Sequence, residues 1–440
     1  MPTHLLTADV GGTNARFQLW RVDAAGAGVS CDVSTSSAAD GVVLAYRATY
    51  RPSSFASLAL ALARIISDAA RAVAPAPEAG ADASPQALPP PTLAPPLAPP
   101  TRAVLAVCGP CWASGRMNES NNVPRWCAEG SAVSRHDAAQ IEAELQWPTQ
   151  TLLFMNDFEA FGFCVAALLD PAAPQRARPS PPPRVLHAAE RDAGAPAACV
   201  GAGTGLGACL VVPAHERAAG GGGGGAPTFS VLASEAGMAE SLSPRDEREW
   251  RLLSFLRRRA AAAGDAQGFV EAECVVSGPG LVAVVDFLRE DRFEPPLSAA
   301  AEAALAAADD EDRPAVAARL AQSGESALCL CAVDVVLGFY GRMLATAAMT
   351  FACRGGLFVG GGILPKLAWR VPALGGVAAE AAGGCALLRG FLRCGPKMSG
   401  FVARVPLSLV EDADAGVKGC LYVAMSALRA ADSEGARGVL

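Results

Sequence analysis

The stretch Asp9-Val10-Gly11-Gly12-Thr13-Asn14-Ala15-Arg16-Phe17 constrains the fold of this chain more than any other. Leu5 and Leu6 open an apolar run ahead of it. Behind it Phe17 and Leu19 alternate with Arg16 and Gln18, a period of two that belongs to a strand. The order is therefore strand, tight Gly-rich turn, strand. Gly11 and Gly12 can take backbone angles closed to other residues and bring N–H groups against a ligand, while Thr13 and Asn14 add side-chain donors. Such a turn suits a phosphate, and Asp9 at the end of the first strand is placed to hold a metal ion through oxygen or water, as Mg²⁺ prefers. An ordinary hairpin uses the same Gly-Gly pair, so the stretch alone leaves both readings open.

Two common nucleotide motifs are excluded. No G-x-x-x-x-G-K-[ST] occurs, and no helix follows the turn to supply its N-terminal dipole to a G-x-G-x-x-G loop. The remaining candidate is the phosphate hairpin of the actin- and hexokinase-type ATPases.

The chain has 440 residues, 51% hydrophobic and only 18% charged, enough for two domains with large cores. A net charge of −7 without long Lys/Arg runs argues against a nucleic-acid surface. Fourteen cysteines follow no regular framework and read as free thiols in a reducing compartment, with a cytoplasmic location expected. With the phosphate turn beginning at residue 9, no signal or transit peptide is expected ahead of it. The most apolar segment, Ala327 to Thr350, is interrupted by Asp334 and Arg342 and is expected as a buried helix rather than a membrane span.

Apolar residues recur at helical spacing over Ser54 to Val73, after which Ala74 to Pro100 is dominated by Pro and Ala. Similar breaks occur at Asp170 to Pro196, Ala218 to Pro227 and around Ser298 to Pro314; all are expected as loops that build no core. Val104 to Val107 reads as a strand, followed by Cys108-Gly109-Pro110-Cys111. That segment fits either a redox pair or, with Trp112-Ala113-Ser114-Gly115 after it, a Gly-Pro turn flanked by incidental cysteines. Thr151 to Met155 is a strand, and Phe158, Phe161, Val165 and Leu168 then recur at helical spacing. Asp157 thus stands at the carboxyl end of a strand and the start of a helix, where open α/β sheets place ligands. Asn156 with Glu159 also matches a capping box, which offers Asp157 a purely structural place near the helix start.

A second strand, Gly-Thr-Gly turn, strand unit runs from Ala198 through Gly201-Ala202-Gly203-Thr204-Gly205-Leu206-Gly207 to Val212. Glu235 and Glu273 are solvated acidic residues by default; Pro279 and Gly280 introduce a helix carrying Leu281, Val284, Val285 and Leu288. Gly356 to Val359 is a strand entering Gly360-Gly361-Gly362, where the lack of side chains would let backbone approach a flat ligand such as adenosine.

Taken in order, Asp9 to Phe17, Gly109-Pro110, Asn122 before Trp126, Asn156-Asp157-Phe158, Gly201 to Gly207, Glu235, Glu271 to Leu281, Gly360 to Pro365, and Gly416 with Gly419 resemble the bacterial-type glucokinase family. The resemblance implies an α/β, two-lobed hexokinase/actin-like ATPase fold with ribonuclease H-like lobes and low-complexity loop insertions. The small lobe is expected over residues 1–156 plus 411–440 and the large lobe over 157–410, closing over a cleft.

By the same resemblance, the nucleotide phosphates with Mg²⁺ fall to Ala8, Asp9, Val10, Gly11, Gly12 and Thr13, and to Gly201, Gly203, Thr204 and Gly205, with Gly361 on the adenosine side and Asp9 as metal residue. Asp157 would take the proton of the sugar's 6-hydroxyl, with Asn122 (or Asn121), Asn156, Glu235 and Glu273 gripping other hydroxyls. One departure stands out: the family's Glu-Gly-Gly-His reads Glu235-Ala236-Gly237-Met238 here, and a thioether cannot supply an imidazole's hydrogen bond. The expected activity is Mg-ATP-dependent phosphorylation of glucose to glucose 6-phosphate, feeding glycolysis. The alternatives are a kinase of another hexose or a catalytically weak sugar-binding regulator. No nucleic acid or membrane partner is expected, a DNA-binding repressor being disfavoured because residues 1 to 8 cannot hold a helix-turn-helix. A homodimer is compatible with this reading.

Overall fold

Two sheets of related strand order organise the chain. The computed structural model describes residues 3–12, 14–23, 41–73, 98–120, 126, 134–214, 228–240, 242–265, 267–371 and 385–437. Asn121, Asn122 and Thr13, and the Pro/Ala/Gly-rich stretches 74–97 and 218–227, lie outside the described residues. The chain divides into two units, residues 1–179 with 413–440, and residues 180–412.

In the first unit, β1 (Thr3–Val10), β2 (Ala15–Val22) and β3 (Val42–Tyr50) form an antiparallel meander, and β4 (Arg102–Val107) and β8 (Leu152–Asn156) extend it in parallel, in the order β3-β2-β1-β4-β8. A separate small sheet joins β5 (Cys111–Trp112), β6 (Met117–Ser120) and β7 (Ser134–Asp137). β4 is buried along Ala103 to Val107, as a central parallel strand covered on both faces must be. Helices α1 (Leu58–Val73) and α2 (Ala138–Glu144) cover one face, with Leu58, Leu62, Ile65 and Ala69 of α1 and Ile141 of α2 in the core.

Helix α3 (Asp157–Leu169) also belongs to this unit, whereas the sequence reading opened the second lobe at residue 157. The reason is the returning C-terminal helix, which packs along α3, β1 and β4. At that crossing a β-carbon on Gly419 would overlap the Ala160 carbonyl, so only glycine permits the approach.

The second unit orders its strands β12-β11-β10-β13-β14-β9. Here β10 (Ala197–Ala202), β11 (Leu206–Ala214) and β12 (Thr228–Ser234) form the meander, and β13 (Gly356–Gly360) and β14 (Leu407–Leu409) the parallel extension. The helices that follow in the chain are α4 (Glu247–Ala262), α5 (Gly278–Glu290), α6 (Ala299–Ala307), α7 (Arg313–Gln322), α8 (Ala327–Thr350), α9 (Ile363–Lys366), α10 (Ala386–Leu392) and α11 (Ser399–Val402), with α12 (Ala415–Arg437) returning to the first unit.

The apolar segment Ala327 to Thr350 is a core helix. α8 is long and apolar enough to cross a membrane, yet Leu328, Val333, Leu337, Tyr340 and Leu344 are buried in the second unit's core. Its two charges are paired, Asp334 with Arg370 at 2.7 Å and Arg342 with Glu249 at 3.0 Å. Close packing with α10 depends on glycine on both sides, since a β-carbon at Gly341 or Gly390 would overlap the opposing backbone.

Two expected loops carry core instead. Around Ser298 to Pro314 the structure has α6, because Ser298 caps it through the Ala301 N–H at 3.2 Å and the Ala-rich run favours helix. The i, i+4 pair Ala301 and Leu305 then reaches the core. Within Asp170 to Pro196, β9 (Arg184–His187) edges the sheet with Leu186 fully buried, and Arg178 donates to the carbonyls of Asp170, Pro171 and Ala173.

Candidate active site

The Gly11 turn joins β1 to β2 directly, closed by Gly11 N–H donating to Asn14 O at 3.0 Å. Gly11, Gly203 and Gly205 lie outside the left-handed region. Gly361 does require it, with φ +81° and a β-carbon that would overlap the Ala202 carbonyl. Ala8 and Val10 are fully buried and paired on both sides, to Phe17 and Ala15 of β2 and to Leu105 and Val107 of β4.

Asp9 is the chemically pointed residue of this turn. Its carboxyl is pushed up to about 6 by burial first and by the neighbouring Asp157 charge next, against the pull of Arg16, while Asp414 adds to the rise. Arg16 pairs with it at 3.5 Å. Gly416, at the start of α12, leaves room for the carboxylate: a β-carbon there would stand 3.1 Å from Asp9 Cγ.

Asp157 opens α3, and the structure separates it from the capping role. Asn156 is the N-cap, its Oδ1 accepting from Phe158 N–H at 2.9 Å and Glu159 N–H at 3.2 Å, and Glu159 completes the box by accepting from Asn156 N–H at 3.4 Å. Asn156 Nδ2 donates to Gly109 O at 3.2 Å, so its oxygen is committed to the helix and its amide in part to the turn. Asp157 Oδ1 accepts from Phe158 N–H at 2.8 Å.

The Cys108–Cys111 segment is a turn. Gly109 has φ +91°, Cys111 enters β5 rather than a helix, and burial pushes the Cys111 thiol up to about 11, away from thiolate reactivity. The cysteines on the described residues are free thiols.

In the second unit Gly203 N–H donates to Gly205 O at 2.7 Å, closing the turn between β10 and β11, with Gly201 paired to Gly207 across the hairpin and Thr204 exposed at its tip. Glu273 is half-buried and accepts from Leu206 N–H at 3.1 Å, so it is not the solvated acid expected by default. Burial raises its carboxyl, with the Glu271 and Glu235 charges adding to the rise. Glu235 is exposed at the end of β12 and precedes a 3-10 turn, Ala236–Met238, in which Met238 is 43% exposed.

Asp414, Arg16 and Asn118 entered no expectation. Asp414 accepts from Gln18 Nε2 at 3.2 Å and pairs with Arg47 at 3.5 Å. Asn118 is fully buried and donates to Cys108 O, Pro110 O and Cys111 Sγ at 3.3–3.4 Å, bracing the turn that receives Asn156. Arg16 lies inside the Asp9–Phe17 stretch, and an ion partner for an end-of-strand carboxylate was its available signal; Asp414 depends on a partner 396 residues away, and Asn118 on folding back against the turn just before it.

A family model described as Glucokinase matches residues 6–427. The chain belongs to the glucokinase family. A glucokinase of Synechocystis sp. is 30% identical over 277 residues, covering 61% of this chain and 67% of that protein. A Nostoc sp. glucokinase is 30% identical over 238 residues, covering 52% and 61%, so the matched segments span about two thirds or less of these relatives. Among solved structures, a glucokinase from an Antarctic psychrotroph superposes with TM-score 0.62 at 23% identity, covering 96% of this chain and 98% of that one. The glucokinase family resemblance thus extends to the fold, which is the mixed α/β, actin-like ATPase type.

Proposed function

We propose that this protein is an ATP-dependent hexose kinase that transfers the γ-phosphoryl group to the 6-hydroxyl of glucose. The observation that carries the reading is the pair of Gly-rich hairpin turns, at Gly11-Gly12 and Gly203–Gly205, each ending the first strand of a meander of the same order. Phosphoryl transfer needs alignment and charge compensation more than covalent chemistry, and backbone turns of this kind supply donors without bulk.

Asp157 is the general base in this reading. Asn156 and Glu159 complete the capping box, so the start of α3 does not rest on Asp157 alone; its carboxylate accepts from Phe158 N–H and, in this reading, takes the hydroxyl proton. This reading assigns phosphate contacts to Gly11, Gly12, Gly203, Thr204 and Gly205, and the nucleoside side to Gly361, which is exposed. Glu235, Glu273 and the remaining amide hydrogen of Asn156 meet sugar hydroxyls.

The residues around Asp9 fit a Mg²⁺ ion. Asp9 sits among more negative than positive charge, Asp157 and Asp414 against Arg16, an imbalance that a cation relieves. Among the described residues no group of three or more His, Cys, Asp or Glu is placed to hold a metal alone, which agrees with an ion that keeps its waters and arrives with phosphates. Bound there, the ion would neutralise charge on the transferring phosphoryl group. Asp9 would hold it, directly or through water.

One observation supports another hexose as the alternative substrate: Met238 occupies the place where the resemblance expects a histidine donor. A glucokinase from Balamuthia mandrillaris solved in complex with glucose has the same fold as this chain, with TM-score 0.59 at 17% identity. Purified protein with Mg-ATP and a panel of hexoses, read by coupled ADP release, tests the proposal. Turnover highest on glucose is expected. Turnover confined to another hexose would replace the substrate, and sugar binding without ADP release would identify a regulator.

A further inference from the structure

The second phosphate turn is held by the two segments that take the sugar in the reading above. Leu206, the residue after the turn, donates its N–H to Glu273 Oε2 at 3.1 Å. Glu273 stands on a 3-10 turn, Ala272–Cys274, that leads into α5, and Gly278 N–H at the head of α5 donates to Gly203 O at 2.9 Å. From the other side Gly237 lies so close that any β-carbon would overlap the Leu206 carbonyl oxygen. Gly205 is bare for a related reason, since its β-carbon would stand 3.0 Å from Glu273 Oε2. Leu206 is therefore fixed at its N–H, on the peptide it shares with Gly205, by the Glu273 segment, and pressed at its C=O, on the peptide it shares with Gly207, by the Glu235–Met238 segment.

We propose that Glu273 is a positioning residue for the nucleotide as well as a sugar ligand. Its Oε2 fixes the Gly203–Leu206 turn through the Leu206 N–H, and ATP affinity depends on that bond. A carboxylate has acceptor sites on two oxygens, so one can serve the turn while the other serves a hydroxyl. A hydroxyl donating to this carboxylate draws on the charge that also holds Leu206, which makes the two sites energetically coupled. The inference rests on the kinase reading for its ligands, whereas the contact itself is present without them.

Glu273→Gln and Glu273→Ala separate the two roles, because a glutamine oxygen still accepts from Leu206 N–H and alanine offers nothing. Hydrogen exchange of the Leu206 amide in ligand-free protein is expected to accelerate by no more than a few-fold in Glu273→Gln, which keeps a neutral acceptor, and by about tenfold or more in Glu273→Ala, the usual worth of a bond to a charged group. Titration with a fluorescent N-methylanthraniloyl-ATP and Mg²⁺ is expected to follow the same order, while glucose binding weakens in both variants. Unchanged Leu206 exchange or unchanged nucleotide affinity in Glu273→Ala overturns the proposal, as does equal loss of nucleotide affinity in both variants. Should Glu273→Ala not fold, Gly237→Ala pushes on Leu206 from its carbonyl side, one peptide further along, and is expected to weaken nucleotide binding several-fold; unaltered binding there overturns the proposal. Wild-type protein that shows no nucleotide binding overturns it together with the kinase reading, whereas a glucose-phosphorylating wild type with a nucleotide-neutral Glu273→Ala overturns it alone.

Discussion

Asp157 and its neighbour Asn156 divide two jobs that one acidic residue at a helix start often combines. Because Asn156 carries the cap, Asp157→Asn keeps the helix and removes only proton affinity. kcat should fall by about 10²- to 10⁴-fold with sugar binding retained, the usual worth of a positioned base. Near-normal turnover in a folded Asp157→Asn protein would return the residue to a structural role. Met238 poses the converse case, a missing donor. Its side chain is exposed and can be replaced without opening a cavity. Met238→His should lower KM for glucose by roughly tenfold, the value of one recovered hydrogen bond, and leave KM for ATP nearly unchanged. Unaltered glucose kinetics would show that another residue supplies the bond.

At the scale of elements, the small sheet carries a pH dependence that is independent of catalysis. His136 on β7 is buried between the rings of Trp126 and Phe154, with Ser134 Oγ at 3.3 Å as its polar neighbour. Burial lowers its pKa to about 4 from the ordinary 6.5. The folded protein therefore keeps this imidazole neutral in a range where the unfolded chain protonates it. Stability from this residue is fully present above about pH 6.5, is lost as pH falls toward 4, and levels off below that. The whole window is worth roughly 3 kcal/mol. Urea unfolding at several pH values should show that slope, and His136→Gln should remove it; a slope persisting in the variant would assign it to other groups.

For the whole molecule, the chain begins and ends in the same unit. α12 contributes Val417, Cys420, Leu421 and Ala424 to the buried set, and Tyr422 donates to Asp170 at 3.0 Å. Gly419 is the point of closest approach to α3. Gly419→Ala should cost about 1–3 kcal/mol, the typical penalty of forcing extra volume into a packed contact, and lower Tm by several degrees. An unchanged Tm would mean that α12 is not packed against α3 in solution.

Much of this was legible in sequence because it is local. Period-two apolar runs on either side of Gly11-Gly12 and of Gly203–Gly205 announce both hairpins, and Asn156 with Glu159 announces the start of α3, since turns and caps are satisfied within a few residues. The segments that sequence misassigned were those in which tertiary burial overrode composition. The Ala-rich stretch after Ser298 looked too poor to build a core, yet Ala301 and Leu305 meet one, and the end of the first unit moved past α3 because α12 returns to cover it. The same holds for charge. That Asp9 shares its field with Asp157 and Asp414, and that Glu273 holds the Leu206 peptide, follows from residues far apart in sequence being brought together, which only the folded chain can decide.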